Sequence, residues 1–125
     1  MTENEISKFV FDAALKIHKK LGPGLLESTY EACMEYELTK QGLQVETQVP
    51  LPLIYEDVKL SVGYRLDLLI NEKVVIEIKA VEKMHDLYFA QLLTYLKLSE
   101  SKLGLLINFN VVLLKDGFRR VVNQL

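Results

Sequence analysis

Hydrophobic residues in the first third of the chain recur at the spacing of two amphipathic helices. Over Glu3–Leu21 the apolar positions fall three or four residues apart, and Gly22 then favours a helix end. The same spacing runs from about Leu25 to Gln41, with Gly42 placed to cap the segment. The apolar stripe of this second helix consists of Leu26, Tyr30, Cys33, Met34 and Leu38. The pattern predicts two helices that each pack one face against a core.

The middle of the chain changes to an alternation of polar and apolar residues, which is the period of β-strands. LQVETQVPL (43–51) alternates in this way, and its proline Pro50 favours an edge strand or a bend. The segments LIY and VKLSVGYRLDLLI, joined by the turn-like Glu56–Asp57, predict a bent hairpin that leads into a long strand. Residues 71–73 then turn the chain back into VVIEIKA (74–80). We therefore expect an antiparallel meander of three strands.

After residue 80 the period becomes helical again and then returns to strands. MHDLYFAQLLTYLKLSE (84–100) predicts a helix, and KLGLLINF (102–109) predicts a short buried strand parallel to the one before the helix. The expected packing residues of this helix are Leu87, Ala90, Tyr95, Leu96 and Leu98. VVLLKDGFRRVV (111–122) predicts a terminal hairpin that turns at Asp116–Gly117. The expected fold is one α/β (α+β) domain over residues 1–125, a mixed sheet flanked by helices in the order α-α-β-β-β-α-β-β.

Composition narrows the expected environment and partners. The chain has 15 Lys and Arg against 17 Asp and Glu, a net charge of -2, so any site for a polyanion must be local. Cys33 is the only cysteine, the chain opens on no secretory pattern, and the apolar runs are too short to span a bilayer. We expect a cytoplasmic protein with no membrane partner. The mean hydropathy of +0.13 is compatible with an apolar surface that supports a homo-oligomer.

Three charged residues interrupt the apolar strands of the meander. Glu77 and Lys79 lie on one face of their strand, opposite the face of Ile76 and Ile78. Asp67 interrupts the preceding strand. A two-residue turn between the strands would place Asp67 and Glu77 on opposite faces, whereas a three-residue loop or a bulge would place them on the same face. We predict the three-residue loop or the bulge.

Two carboxylates and an ammonium group on one partly buried sheet face indicate metal chemistry. The like charges of Asp67 and Glu77 would repel each other, and a hard divalent cation such as Mg²⁺ offsets this repulsion with oxygen ligands. The ammonium of Lys79 could stabilise charge on a phosphorane-like transition state or orient an attacking water. This combination is typical of phosphodiester hydrolysis.

The same residues carry a family resemblance. Asp67 followed ten residues later by Glu77-x-Lys79 resembles the core of the PD-(D/E)xK nuclease superfamily, with Leu66 in place of the motif's proline. GLLESTY (24–30) is similar to the signature of the GxxExxY protein family, a small RecB-like branch, as are QLLTYLKL and GLLINF…LKDGFRR. The resemblance covers nearly the whole chain. It implies a restriction-endonuclease-like core.

The resemblance also implies a role for each motif position. Asp67, Glu77, the backbone carbonyl of Ile78 and Glu27 would hold one or two Mg²⁺ or Mn²⁺ ions, and Lys79 would be the catalytic lysine. Gln91 and Tyr95 match a QxxxY motif that holds the substrate backbone or the lysine. The implied activity is hydrolysis of nucleic acid, with DNA as the expected polymer.

Other interpretations of these residues remain open on the sequence alone. Asp67 with Arg65, or Glu77 with Lys79, could be ordinary ion pairs on a solvated sheet face. Glu27 could simply favour the N-terminus of its helix. The whole domain could be a nucleic-acid-binding or regulatory module that keeps the fold without cutting, or it could hydrolyse a smaller phosphodiester.

Overall fold

Helices cover both faces of a five-stranded sheet in the computed structural model, which describes residues 1–125. The strand order is β1-β4-β5-β6-β7, and every neighbouring pair is antiparallel except β5 with β6. The elements are α1 Glu3–Leu21, α2 Glu27–Lys40, β1 Val45–Pro50, β2 Leu53–Tyr55, β3 Val58–Leu60, β4 Arg65–Ile70, β5 Val74–Lys79, α3 Asp86–Ser99, β6 Leu103–Asn108, α4 Leu114–Gly117 and β7 Phe118–Val122. The predicted α/β class, the edge position of β1 and the parallel β5-α3-β6 unit are confirmed.

Local capping chemistry fixes the ends of the first two helices. The Thr2 hydroxyl accepts a hydrogen bond from the Glu5 N–H and the Glu5 carboxylate accepts one from the Thr2 N–H, which forms a capping box. Helix α1 ends at Gly22, whose φ of 71° is readily adopted by glycine. Helix α2 is capped by Gln41, and Gly42 follows with φ 90°. None of the helices is long and apolar enough to cross a bilayer.

Two hydrophobic cores lie on opposite sides of the sheet. The larger core joins α1 and α2 to one face of β5, where Val74, Ile76 and Ile78 are buried. The smaller core joins α3 to the other face, where Val75 packs with Leu92. Burying each such aliphatic side chain contributes about 1.5–3 kcal/mol relative to leaving it in water. The predicted alternation of β5 between two faces is confirmed, and both faces are covered by helices.

Three residues predicted to pack are exposed. Leu26 is 73% exposed because it precedes the first turn of α2 as its N-cap. Leu87 is 78% exposed and Ala90 is also exposed, because α3 turns Leu92, Tyr95 and Leu96 toward the sheet instead. The predictions of both helices are confirmed, but the prediction that these three residues pack against a core is wrong.

The segment predicted as a bent hairpin separates into two structures. LIY and VKL form an independent two-stranded sheet, β2–β3, which turns at Glu56 and Asp57 with φ values of 48° and 66°. Residues 61–64 then form no strand, and β4 begins at Arg65. All the residues from Ile54 to Leu60 are exposed, so this hairpin stands outside both cores.

The predicted terminal hairpin is wrong in its first half. VVLL forms no strand, Val112 is 89% exposed, and Asp116 and Gly117 lie in the short helix α4. Strand β7 pairs with β6, in a register that sets Leu103 opposite Val122. Because β6 already offers an unpaired edge in the sheet, the last strand adds to it and does not need a partner from its own segment.

Candidate active site

A three-residue connection places Asp67 and Glu77 opposite each other. The β4–β5 register pairs Leu68 with Ile76 and Ile70 with Val74, which leaves residues 71–73 as the loop. Asn71 and Glu72 have positive φ values, 50° and 57°, that turn the chain. Continued by one position, this register sets residue 67 against residue 77. The predicted three-residue loop is therefore confirmed.

The backbone hydrogen bonds between β4 and β5 stop before Asp67, and the carboxylates of Asp67 and Glu77 accept hydrogen bonds from the next backbone N–H groups. The Ile78 N–H donates to the Asp67 Oδ2 at 2.8 Å, and the Asp67 N–H donates to the Glu77 Oε1 at 3.4 Å. The pairing of β1 with β4 is also interrupted here, at Gln48, whose φ is 50°. The two carboxylates consequently meet at a gap in the backbone pairing around Gln48, Asp67 and Glu77, which we call the sheet opening. A backbone N–H group donates a hydrogen bond to each carboxylate.

Glu77 is a buried acid without a cationic partner. Its side chain is 8% exposed, and burial, followed by the charge of nearby Asp67, raises the pKa of Glu77 to about 9. The only ion pairs in the molecule join Glu37 to Lys16 and Lys40, far along the chain from this site. The interpretation of the strand charges as ordinary ion pairs is therefore wrong.

Lys79 points to the same side as α3 and rests on an aromatic ring. Its Nζ lies 4.6 Å from the ring centroid of Tyr88 in α3, a cation–π contact. The ring of His85, the N-cap of α3, meets the edge of Tyr88 at 5.6 Å between centroids. Sequence reasoning missed Tyr88, although it lies seven residues before Tyr95 and so on the same helix face.

Tyr95 is buried between α3 and the sheet, in the cluster of Leu66 and Val75, whereas Gln91 stays at the surface. Tyr95 is 8% exposed, and burial together with the neighbouring Glu77 carboxylate raises its pKa. Its ring lies 5.8 Å from that of Tyr64, between centroids. Gln91 is exposed and makes no hydrogen bond to Asp67, Glu77 or Lys79. Of the two QxxxY residues, the structure buries only Tyr95 against the sheet face of Glu77 and Lys79.

Glu27 reaches the site from the opposite helical layer. Its Oε2 accepts a hydrogen bond from the Ala80 N–H at 3.2 Å, just after the end of β5. A cavity of about 290 Å³ separates α2 from the sheet opening and is lined by Glu27, Ser28, Glu31, Gln48, Asp67 and Ile78. Glu27 thus lines the same cavity as Asp67 and Ile78, while its carboxylate binds the backbone beyond β5.

Glu31 and Gln48 are two residues of this cavity that sequence reasoning missed. The Gln48 Nε2 donates to the Glu31 Oε1 at 2.7 Å, and burial raises the pKa of Glu31. Glu31 follows Glu27 by one helical turn, so the four-residue spacing was a usable signal. Gln48 carried no comparable signal, because its position depends on the interruption of β1.

Asn108 fixes the backbone that leaves the site. It is paired in register with Lys79 and is 1% exposed. Its Nδ2 donates to the Val81 carbonyl at 2.9 Å, and its Oδ1 accepts from the N–H groups of Val81 and Asn110, both at 3.1 Å. These hydrogen bonds fix the segment between β5 and α3. They therefore fix the positions of the two elements that carry Lys79 and Tyr88.

The sequence as a whole matches a known family. The family model of the PD-(D/E)XK nuclease superfamily matches residues 4–121, nearly the full length of the chain. The protein belongs to the PD-(D/E)XK nuclease superfamily. No match was found among curated proteins or among solved structures. The mixed sheet with helices on both faces is consistent with the restriction-endonuclease-like fold of this superfamily.

The donor set at the sheet opening fits the cations that PD-(D/E)XK nucleases typically use, Mg²⁺ and Mn²⁺. Asp67 and Glu77 supply carboxylate oxygens, which hard divalent cations prefer, and no cysteine or histidine lies between them. No group of three or more His, Cys, Asp or Glu side chains is arranged to hold a metal ion. The carboxylate oxygens of Asp67 and Glu77 are donors of the kind that Mg²⁺ takes, with backbone oxygen and water as further ligands.

Proposed function

We propose that this PD-(D/E)XK protein is a metal-dependent nuclease that hydrolyses phosphodiester bonds of nucleic acid, with DNA as the expected polymer. One observation carries the proposal. Glu77 is buried against Asp67 with no cationic partner, while the ammonium of Lys79, two residues along the same strand face, is free of any ion pair. A structural role would leave these three charges paired with one another or with solvent.

The acidic residues have the role of binding Mg²⁺ or Mn²⁺ in this proposal. Asp67, Glu77 and the backbone carbonyl of Ile78 would hold the cation, and Glu27, whose carboxylate accepts from the Ala80 N–H, would join through water from across the cavity. When bound, the cation stabilises the charge that develops on the phosphate oxygens. The Ile78 N–H fixes the Asp67 carboxylate in place before substrate arrives, so no reorganisation is needed.

Lys79 is the proposed catalytic residue that contacts the scissile phosphate. Its ammonium stabilises negative charge on the phosphate and orients the attacking water. Tyr95 positions the substrate backbone beside the carboxylates, and Gln91 contacts the substrate from the exposed surface of α3. In this arrangement Tyr88 is a positioning residue for Lys79.

The GxxExxY signature gains a physical role in the same proposal. The Tyr30 hydroxyl donates to the Gly22 carbonyl at 2.6 Å and accepts from the Leu25 N–H at 3.2 Å. Its ring stacks on Phe109 with centroids 4.3 Å apart. The tyrosine of the motif therefore locks the turn between α1 and α2, and this turn presents Glu27 to the cavity. This supports placing the chain in the GxxExxY branch.

A cleavage assay across polymers and metals tests the proposed function. We expect the purified protein to cut at least one of single-stranded DNA, duplex DNA, single-stranded RNA and duplex RNA in Mg²⁺ or Mn²⁺, and to stop when the metal is chelated. A Lys79→Ala protein purified in parallel controls for contaminating nucleases. Saturable binding of these polymers without cleavage in either metal would overturn the nuclease and favour a non-cleaving module.

Tyr88→Leu is expected to lower kcat by about twofold to thirtyfold with little change in KM, because it removes a cation–π contact worth about 0.5–2 kcal/mol. Tyr88→Phe keeps the aromatic face and should retain most of kcat. Steady-state cleavage rates of the two variants measure the difference. Equal kcat values for the Leu and Phe variants would show that the ring does not position Lys79.

A further inference from the structure

A second cavity adjoins the proposed catalytic site on the side of the β2–β3 hairpin. Its volume is about 500 Å³, which lies in the range of sites for small-molecule ligands. It is lined by Pro50, Leu51, Pro52, Lys59, Ser61, Val62, Gly63, Tyr64 and Arg65. The walls come from the end of β1, from the hairpin and from the segment that leads into β4.

The charge of this cavity is opposite to that of the acidic cavity at Asp67. Lys59 and Arg65 line it, and no aspartate or glutamate does. The Arg65 guanidinium donates only to the Gln48 carbonyl, at 3.3 Å, and forms no ion pair. In a chain with net charge -2, two cations without acidic partners on one concave surface form a local site for an anion.

An aromatic ring connects this cavity to the proposed catalytic site. Tyr64 is 43% exposed, and its ring lies 5.8 Å from the ring of Tyr95, which is buried in one cluster with Leu66 and Val75 on the strands that carry Asp67 and Glu77. Arg65, the first residue of β4, is two residues from Asp67. A polymer that crosses the sheet opening would therefore pass directly onto Tyr64 and Arg65.

We propose that this cavity binds the single-stranded part of a nucleic acid next to the scissile phosphate, an inference that rests on the proposed nuclease function. The exposed face of Tyr64 stacks on an unpaired base, and Lys59 and Arg65 contact the flanking phosphates. Cationic grooves with aromatic platforms bind single strands without reading sequence. A duplex is excluded from this contact because its bases stack on one another and present no free face to Tyr64.

Fluorescence anisotropy with labelled oligonucleotides tests the inference. The probes are oligothymidylate and oligouridylate of about 12 nucleotides, and a blunt-ended DNA duplex of about 12 base pairs, all in EDTA. We expect the full-length protein to bind at least one single strand more tightly than the duplex. Lys59→Gln/Arg65→Gln should weaken this binding about tenfold and reduce the slope of log K against log salt by about 1.4, or about 0.7 per lost phosphate contact.

Matched variants separate the contribution of the cavity to oligonucleotide binding from general effects of charge and folding. Lys97→Gln/Lys102→Gln also removes two exposed positive charges, outside the cavity, and should bind like the parent. Tyr64→Leu should bind about tenfold more weakly, and Tyr64→Phe within about twofold of the parent. Thermal melting of every variant verifies folding.

Three results would overturn the inference: duplex binding as tight as that of both single strands, equal affinities for the two double variants, or equal affinities for the Leu and Phe variants at position 64. Because the assay contains no divalent cation and records no cleavage, failure of this inference can be distinguished from failure of the nuclease proposal. A protein that binds as expected and never cleaves would refute only the nuclease.

Discussion

Lys79→Ala is expected to lower the cleavage rate by about 10²–10³-fold, while the free energy of unfolding falls by no more than about 2 kcal/mol, the upper value of the Tyr88 cation–π contact that is lost. The large kinetic effect follows from removing the only ammonium on the strand face of the carboxylates. The small effect on stability follows because the half-buried side chain has no ion pair to lose. Single-turnover cleavage under saturating metal, with a urea melt of the same preparation, measures both quantities.

Lys102→Ala is the matched control for this experiment. Lys102 is exposed just before β6, the strand that runs parallel to β5, so it lies at the opposite end of the sheet from Lys79. The control should cleave at the parental rate. A folded Lys79→Ala protein that cuts as fast as its parent would remove Lys79 from the mechanism.

Glu77→Gln is expected to stabilise the metal-free protein at pH 8 by about 2–4 kcal/mol and to abolish its stabilisation by Mg²⁺. Burial and Asp67 raise the pKa of Glu77 from 4.5 to about 9, so the native fold favours the protonated acid. The stabilising effect of that protonation is complete below about pH 4.5 and is lost as the pH rises toward 9. Glutamine stays neutral throughout, and the variant should therefore lose less stability over this window.

Thermal melts at intervals between pH 5 and about 9, with and without Mg²⁺, measure both effects. Glu100→Gln, at an exposed helix end, controls for the loss of one carboxylate. With Mg²⁺ present, the parent should gain stability at pH 8 because a bound cation stabilises the ionised pair, and the Gln variant should not. Parallel pH profiles for the parent and the Gln variant would contradict the assignment of Glu77 as a buried, uncompensated acid.

The sheet opening gives the proposed site its chemical character. If the β4–β5 ladder continued past Leu68 and Ile76, backbone groups would bond to one another and the acids would project separately from the sheet. Instead the Ile78 N–H binds Asp67, and the Asp67 N–H binds Glu77. The strands thus donate their own hydrogen bonds to the two acidic side chains and hold them close to each other.

Local patterns in the sequence were sufficient for most of the framework. Helix α1 was predicted at its observed bounds, Glu3–Leu21, because a helical period and a terminal glycine are both short-range signals. The predicted three-residue loop or bulge, together with the alternation of β5, set Asp67 and Glu77 on one face, and residues 71–73 form that loop. Loop length fixes register in a hairpin, so this part of the site was also local information.

Some errors in the predicted fold arose where a segment packs or pairs with an element that is distant in sequence. VVLL has the composition of a strand, but β6 provides the edge to which β7 adds, and the segment before it stays outside the sheet. Leu87 fits a helical stripe, yet the direction in which α3 packs against the sheet turned it to solvent. Propensity describes one segment at a time, while burial depends on which surfaces meet.

The sequence by itself determined the types of the main elements, the faces of β5 and the identities of the three charged residues that it sets on two neighbouring strands. Only the tertiary structure decided that Glu77 is buried without a cation, that Tyr88 supports Lys79, and that Glu31 and Gln48 face Asp67 across a cavity. The physical reason is the range of the interactions. Capping, periodicity and loop length act within a few residues, whereas desolvation and charge pairing depend on distances between segments that only the folded chain brings together.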